Sequence, residues 1–209
     1  MRRGALVLCG GQSRRMGWPK ATLPFGPEQM LQRMVRLVGQ VAQSVLVVAA
    51  PEQDVPELPA GVRLVRDRQP GRGPLEGLAT GLAAIGHDAD AVYLSGCDSP
   101  LLVPAFVERL FALVGDYDLV IPRDGARLHP LAAVYRTGVL RDVEALLAAG
   151  QLQPALLCAR TRALQVPVDW LRAVDPQLAT LRNINAPEDY FEALRQAGYP
   201  VPDSGRKPI

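Results

Sequence analysis

Short apolar runs alternate along the chain with segments whose apolar residues recur at helical spacing, and that alternation leaves few architectures open. Gly4 to Cys9 (GALVLC), Ser44 to Ala49 (SVLVVA), Val62 to Val65 and Ala91 to Leu94 (AVYL) read as strands buried on both faces. Between the first two, Leu31, Met34, Val35 and Val38 fall at i, i+3, i+4 and i+7, which predicts a helix over Glu28 to Ala42. Leu75, Leu78, Leu82 and Ile85 form a second stripe, opened by Pro74. Pro104 opens a third helix reaching about Val114. Asp118 to Ile121 and Ala132 to Tyr135 read as strands, Gly138 to Ala149 as a helix, and Ala186 to Ala197 as a last helix. This order predicts an α/β fold, a parallel sheet with helices on both faces. No repeat or linker divides the chain, so one domain is expected over 1–199, with a frayed tail over 200–209.

Composition narrows the function. Hydrophobic residues make up 48% of the 209 and charged residues 21%, the balance of a soluble globular protein. A net charge of +2 is too even to mark a nucleic-acid or membrane surface, and neither partner is expected. Cys9, Cys97 and Cys158 are far apart without a CxxC, which is neither a disulfide framework nor a zinc pattern. A reduced, cytoplasmic setting is expected. Ala5 to Cys9 is too short for a signal sequence or a membrane span.

The first predicted strand runs into "LCGGQSRRMGWPKATLPFG", Leu8 to Gly26. In open parallel sheets ligands bind beyond the carboxyl ends of the strands, so this loop lies on the ligand edge. Gly10 and Gly11 allow close approach of the backbone and positive φ, and successive N–H groups there can cradle an anion. Arg14, Arg15 and Lys20 add full positive charges. Lys20 and Lys207 are the only lysines in a chain that otherwise uses arginine, which points to a need for a compact charge at Lys20. The loop is not a P-loop, because Pro19 precedes the lysine, and its glycine spacing is not GxGxxG. A phosphate site for a nucleoside triphosphate is the reading, against a flexible turn with solvated arginines.

"GGQSRRMGWPK" resembles the GGxSxRMGxxK loop of nucleotidyltransferases that activate sugars, alcohols and pterins. With "DRQPGRGPLEGL" at 67–78, "LSGCDSPLL" at 94–102 and "LRNINAPEDY" at 181–190, the chain looks like a molybdenum cofactor guanylyltransferase of the MobA family. That resemblance implies a Rossmann-like three-layer α/β/α fold with a mostly parallel central sheet, of the nucleotide-diphospho-sugar transferase type. It implies GTP and molybdopterin as substrates, Mg²⁺ as cofactor, and transient contact with cofactor-biosynthesis or acceptor proteins. Carried onto this chain, it gives Lys20, Arg15 and Asp98 as catalytic residues, Asp98 also holding the metal. Leu8, Cys9, Gly10, Gly11, Ser13, Lys20, Asp67, Gly73, Pro74, Gly77, Asn183 and Asn185 become substrate-binding. The sequence departs from the family at Cys9, commonly alanine, and after the second strand, where Ala49, Ala50 and Pro51 stand in place of an asparagine.

Each of these residues has a plainer reading. Asp98-Ser99-Pro100 could cap a helix. Asp67 could be a turn residue between Arg66 and Arg68. Gly73 and Pro74 suit a helix start. Asn183 and Asn185 share a face if extended, and Asn185 could instead cap the last helix. His129 and Cys97 read as structural. The rival functions are the same reaction with CTP, a sugar- or alcohol-phosphate nucleotidyltransferase, a non-catalytic nucleotide-binding module, and a protein-binding scaffold.

Overall fold

The computed structural model describes residues 1–10, 16–69 and 71–201. The elements run β1 (Arg3–Cys9), β2 (Pro24–Phe25), β3 (Glu28–Gln29), α1 (Met30–Val38), β4 (Ser44–Ala49), β5 (Arg63–Arg66) and α2 (Pro74–Ile85). They continue β6 (Ala91–Gly96), α3 (Pro104–Ala112), β7 (Leu119–Asp124), β8 (Arg127–Leu128), β9 (Ala132–Arg136), α4 (Leu140–Ala148), β10 (Ala163–Pro167) and α5 (Pro187–Gln196). The main sheet has the order β10-β7-β9-β6-β1-β4-β5, with β8 paired to β7. β5, β4, β1 and β6 are parallel neighbours, and β10 is parallel to β7. β9 runs antiparallel between β6 and β7. The expected mostly parallel sheet is present, with β9 inserted against its direction.

Period-two alternation splits the core between two faces. Ala5, Val7 and Cys9 of β1 join one apolar cluster with α1 and α3 residues such as Met34 and Phe106. Leu6 packs on the opposite face with Leu78 and Leu82 of α2 and Val143 of α4. That face is unusually close. A Cβ on Gly81 would lie 2.7 Å from Leu6 Cδ1, and one on Gly77 would lie 3.0 Å from Leu8 Cδ2. These two glycines, one helical turn apart, let α2 seat directly on β1. A third cluster, with Phe25, Met30, Ile184 and Tyr190, packs α5 onto the β2–β3 hairpin.

The structure differs from the sequence expectation in three places. The helix expected from Glu28 begins at Met30, because Glu28–Gln29 pairs with Pro24–Phe25 around Gly26, whose φ is 66°. β10 was not expected at all, and it closes the sheet edge beside β7. The last helix is not capped by Asn185. Ala186 is its N-cap residue, and the Asp189 carboxylate accepts the N–H groups of Asn185 and Ala186 at 2.8 and 2.9 Å. A carboxylate in the first turn meets the helix dipole more favourably than a neutral amide would. The tail expectation lies outside the described residues from 202 onward.

Candidate active site at the carboxyl edge of the sheet

β1, β4, β5 and β6 all end at one edge, and β1 is the strand from which the order turns both ways. The chain therefore delivers Gly10, Ala50, Asp67 and Asp98 to one place, the crevice where open α/β sheets bind ligands. A cavity of ≈ 760 Å³ opens there.

At one end stand Lys20 and Asp98. Lys20 begins the short turn Lys20–Thr22, and its Nζ lies 3.0 Å from Asp98 Oδ2, the two side chains 16% and 20% exposed. Asp98 Oδ1 folds back over Gly96, so closely that a Cβ there would sit 2.5 Å away. The cap reading of Asp98 fails, because α3 starts at Pro104 with Val103 as its N-cap residue. Ser99 Oγ donates to Asn183 Oδ1 at 3.1 Å, and the Ile184 N–H donates to the Asp98 carbonyl at 2.8 Å. Asn183 is thus docked beside the Asp98 turn, outside the cavity lining. Asn185 makes its contact to Asp189 through its backbone only.

At the other end stands Asp67, beyond β5. Its N–H donates to the Ala49 carbonyl at 2.8 Å, and its Oδ1 is buried without a hydrogen-bond partner among the described residues. Burial raises the Asp67 carboxyl above the usual carboxylate range, and the nearby Glu76 charge adds to the effect. The turn that follows uses positive φ at Gly71 (86°) and Gly73 (74°), with Pro74 as the first residue of α2. Gly73, Pro74 and Gly77 all line the cavity. Gly10 is not in the left-handed region. Its lack of a side chain leaves the approach to Asp67 open, since a Cβ would stand 4.0 Å from Asp67 Oδ2.

Leu8 and Cys9 complete the floor, with Cys97 beside them. The neighbouring Cys97 thiol holds the Cys9 pKa below its ordinary value. The neighbouring Cys9 and burial raise that of Cys97. Gly11, Ser13 and Arg15 lie outside the described residues.

Sequence reasoning missed several contributors. Glu52 and Gln53 line the cavity from the turn after β4. Arg66 Nη1 pins that turn by donating to the Ala50 and Gln53 carbonyls at 2.9 and 2.7 Å. Glu76 is buried on α2, 3.6 Å from Arg72 and 3.9 Å from Arg68, which ties both arginines to the helix. A charge in the middle of an apolar helix stripe was the one available signal for Glu76. Among the described residues, no group of three or more His, Cys, Asp or Glu could hold a metal by itself.

A mostly parallel α/β sheet with a lysine–carboxylate pair and a glycine-rich turn facing each other across its carboxyl edge defines a nucleotide-binding protein of the nucleotidyltransferase type. Solved structures share that fold. Molybdopterin-guanine dinucleotide biosynthesis protein A from Archaeoglobus fulgidus matches with a TM-score of 0.77 at 21% identity, covering 93% of this chain and 98% of the other. The 2-C-methyl-D-erythritol 4-phosphate cytidylyltransferase from Thermus thermophilus matches with a TM-score of 0.67 at 17% identity, covering 93% and 98%. A probable molybdenum cofactor guanylyltransferase from Mycobacterium tuberculosis H37Rv is 40% identical over 166 residues, 77% of this chain and 81% of its own length. One from Mycobacterium avium (strain 104) is 37% identical over 203 residues, 94% and 97% of the two chains. The family model of the MobA-like NTP transferase domain matches residues 5–165, and the chain belongs to that family.

Proposed function

We propose that this protein transfers GMP from GTP to the terminal phosphate of molybdopterin, forming the guanine dinucleotide and releasing pyrophosphate. The observation that carries the reading is the Lys20–Asp98 pair, 3.0 Å apart at the cavity edge. A lysine matches a triphosphate, and an aspartate matches the cation that accompanies it. Asp98 is a single carboxylate, which fits Mg²⁺, a cation that takes its other ligands from phosphates and water. Bound there, Mg²⁺ would supply charge neutralisation on the phosphate oxygens.

The chain's own groups do the rest. Lys20 leaves Asp98 and turns to the triphosphate, so the two charges separate as substrate enters. Arg15 adds positive charge from the glycine loop. Gly10 leaves room for the nucleotide, and the bare Asp67 Oδ1 is an acceptor waiting for a donor from its base or ribose. Asn183 is held by Ser99 beside Asp98, and that nearness supports assigning it to the acceptor substrate. The attacking group is a phosphate monoester, already anionic at neutral pH, so positioning and charge stabilisation suffice without a general base. The free thiols of Cys9, Cys97 and Cys158 support a cytoplasmic setting for the reaction, because unpaired thiols persist there.

Calorimetry with Mg²⁺ present tests the nucleotide. GTP is expected to bind more tightly than CTP, by ~1–3 kcal/mol for each buried polar group a wrong base leaves unpaired. Equal or tighter CTP binding replaces this reading with the cytidylyl one.

A further inference from the structure

We propose that Cys9 and Cys97 form a redox-sensitive thiol pair on the floor of the nucleotide cavity, and that their oxidation to a disulfide shuts the site. Four observations place the pair. β1 and β6 are parallel and in register up to Leu8 and Gly96, so Cys9 and Cys97 are the next residues on each. The Cys97 N–H donates to the Leu8 carbonyl at 3.0 Å, which carries the parallel pairing past the strand end. Both side chains lie on the same sheet face in the same apolar cluster, 1% and 8% exposed. Both line the cavity, which gives a small reagent a path to otherwise buried sulfurs.

The chemistry balances with a small-molecule disulfide as oxidant. One thiolate attacks the reagent's S–S bond, forms a mixed disulfide and expels one thiol. The second cysteine then displaces the other half. Two protein thiols are oxidised, the reagent is reduced to two thiols, and those leaving groups take up the two protons. Neighbouring strands lie about 4.8 Å apart, within the Cα range of disulfides, but the bridge needs Cβ atoms about 3.8 Å apart. Closing the bond fixes the two sulfurs about 2.05 Å apart, well inside the contact distance of two free thiols, so the ends of both strands are re-set. The residues that follow are Gly10 and Asp98, so both the open approach to Asp67 and the carboxylate of the Lys20 pair shift. A misplacement of ~1 Å at a reacting site costs on the order of 100-fold in rate.

The effect on nucleotide rests on the function proposed above, and the disulfide does not. The test uses the full chain carrying Cys158→Ala, so that two thiols remain, treated with oxidised glutathione. Peptide mass spectrometry is expected to find Cys9 joined to Cys97, and Mg·GTP is expected to slow the joining by covering the floor. GTP affinity, read by calorimetry, is expected to fall at least ~10-fold on oxidation and return with reductant. Cys9→Ala and Cys97→Ser, each compared with itself before and after oxidation, should show no such change. Glutathione adducts without the Cys9–Cys97 bond overturn the proposal, and so does a complete bond that leaves GTP affinity unchanged. If the reduced protein binds no GTP, the function above fails, while the mapped disulfide still decides the pairing.

Discussion

On the proposed reading Lys20 and a divalent cation compete for one carboxylate, so replacing the lysine should pull binding and turnover apart. Lys20→Met keeps the length and removes the charge. We expect Mn²⁺, titrated without nucleotide, to bind this variant more tightly than the parent, because Asp98 Oδ2 loses its 3.0 Å partner. Transfer should fall by ~10²–10³-fold, the effect of losing one preorganised group in a transition state. Unchanged turnover would leave Lys20 a surface ion pair. Asp67 gives a second separation. Its carboxyl sits above the usual range because of burial, so the folded protein holds that proton more tightly than the unfolded chain does. The resulting stabilisation is complete below the unfolded value and is lost as pH rises through the folded one, leaving the ionised group unfavourable at neutral pH. Asp67→Asn should therefore melt higher than the parent near pH 7, with the gap closing in acid, while GTP binding weakens by ~1–3 kcal/mol. Thermal melts across pH, paired with calorimetry, check both. A variant that melts lower at neutral pH contradicts the burial argument.

The elements that build the site were legible where apolar periodicity is strong. β1, β4 and β6 are uninterrupted apolar runs, and the α1 and α2 stripes follow helical spacing, so each was found within a few residues of its bounds. β10 is short and carries Gln165 and Pro167, and its place depends on pairing with a strand more than forty positions earlier. The β2–β3 hairpin is held by distant packing, with Gly26 lying against the Tyr199 ring, which no local pattern reveals. Contact between α2 and β1 also escaped the sequence. Gly77 read as a nucleotide neighbour, yet with Gly81 it lets the helix seat on Leu6 and Leu8. Gly81→Ala should destabilise by ~1–3 kcal/mol through overpacking against the fully buried Leu6. Urea unfolding would show a lower midpoint at unchanged slope. A midpoint equal to the parent's would mean that Leu6 has room to move.

At the scale of the whole molecule, the candidate site could be read because four strand ends converge on it. Gly10, Lys20, Asp67 and Asp98 follow strands or their connecting loops, and the sheet order places all four on one cavity. Glu52, Gln53 and Arg66 matter only through the shape of that cavity, so their part became visible with the fold. The proposed transfer is defined by its product. Molybdopterin incubated with Mg²⁺ and each of ATP, GTP, CTP and UTP in turn, followed by mass analysis, tests it most directly. One new species is expected, the guanine dinucleotide, formed with GTP alone and matched by an equal amount of pyrophosphate. A cytosine dinucleotide formed as readily, or no dinucleotide with any of the four from protein that binds GTP, would contradict it.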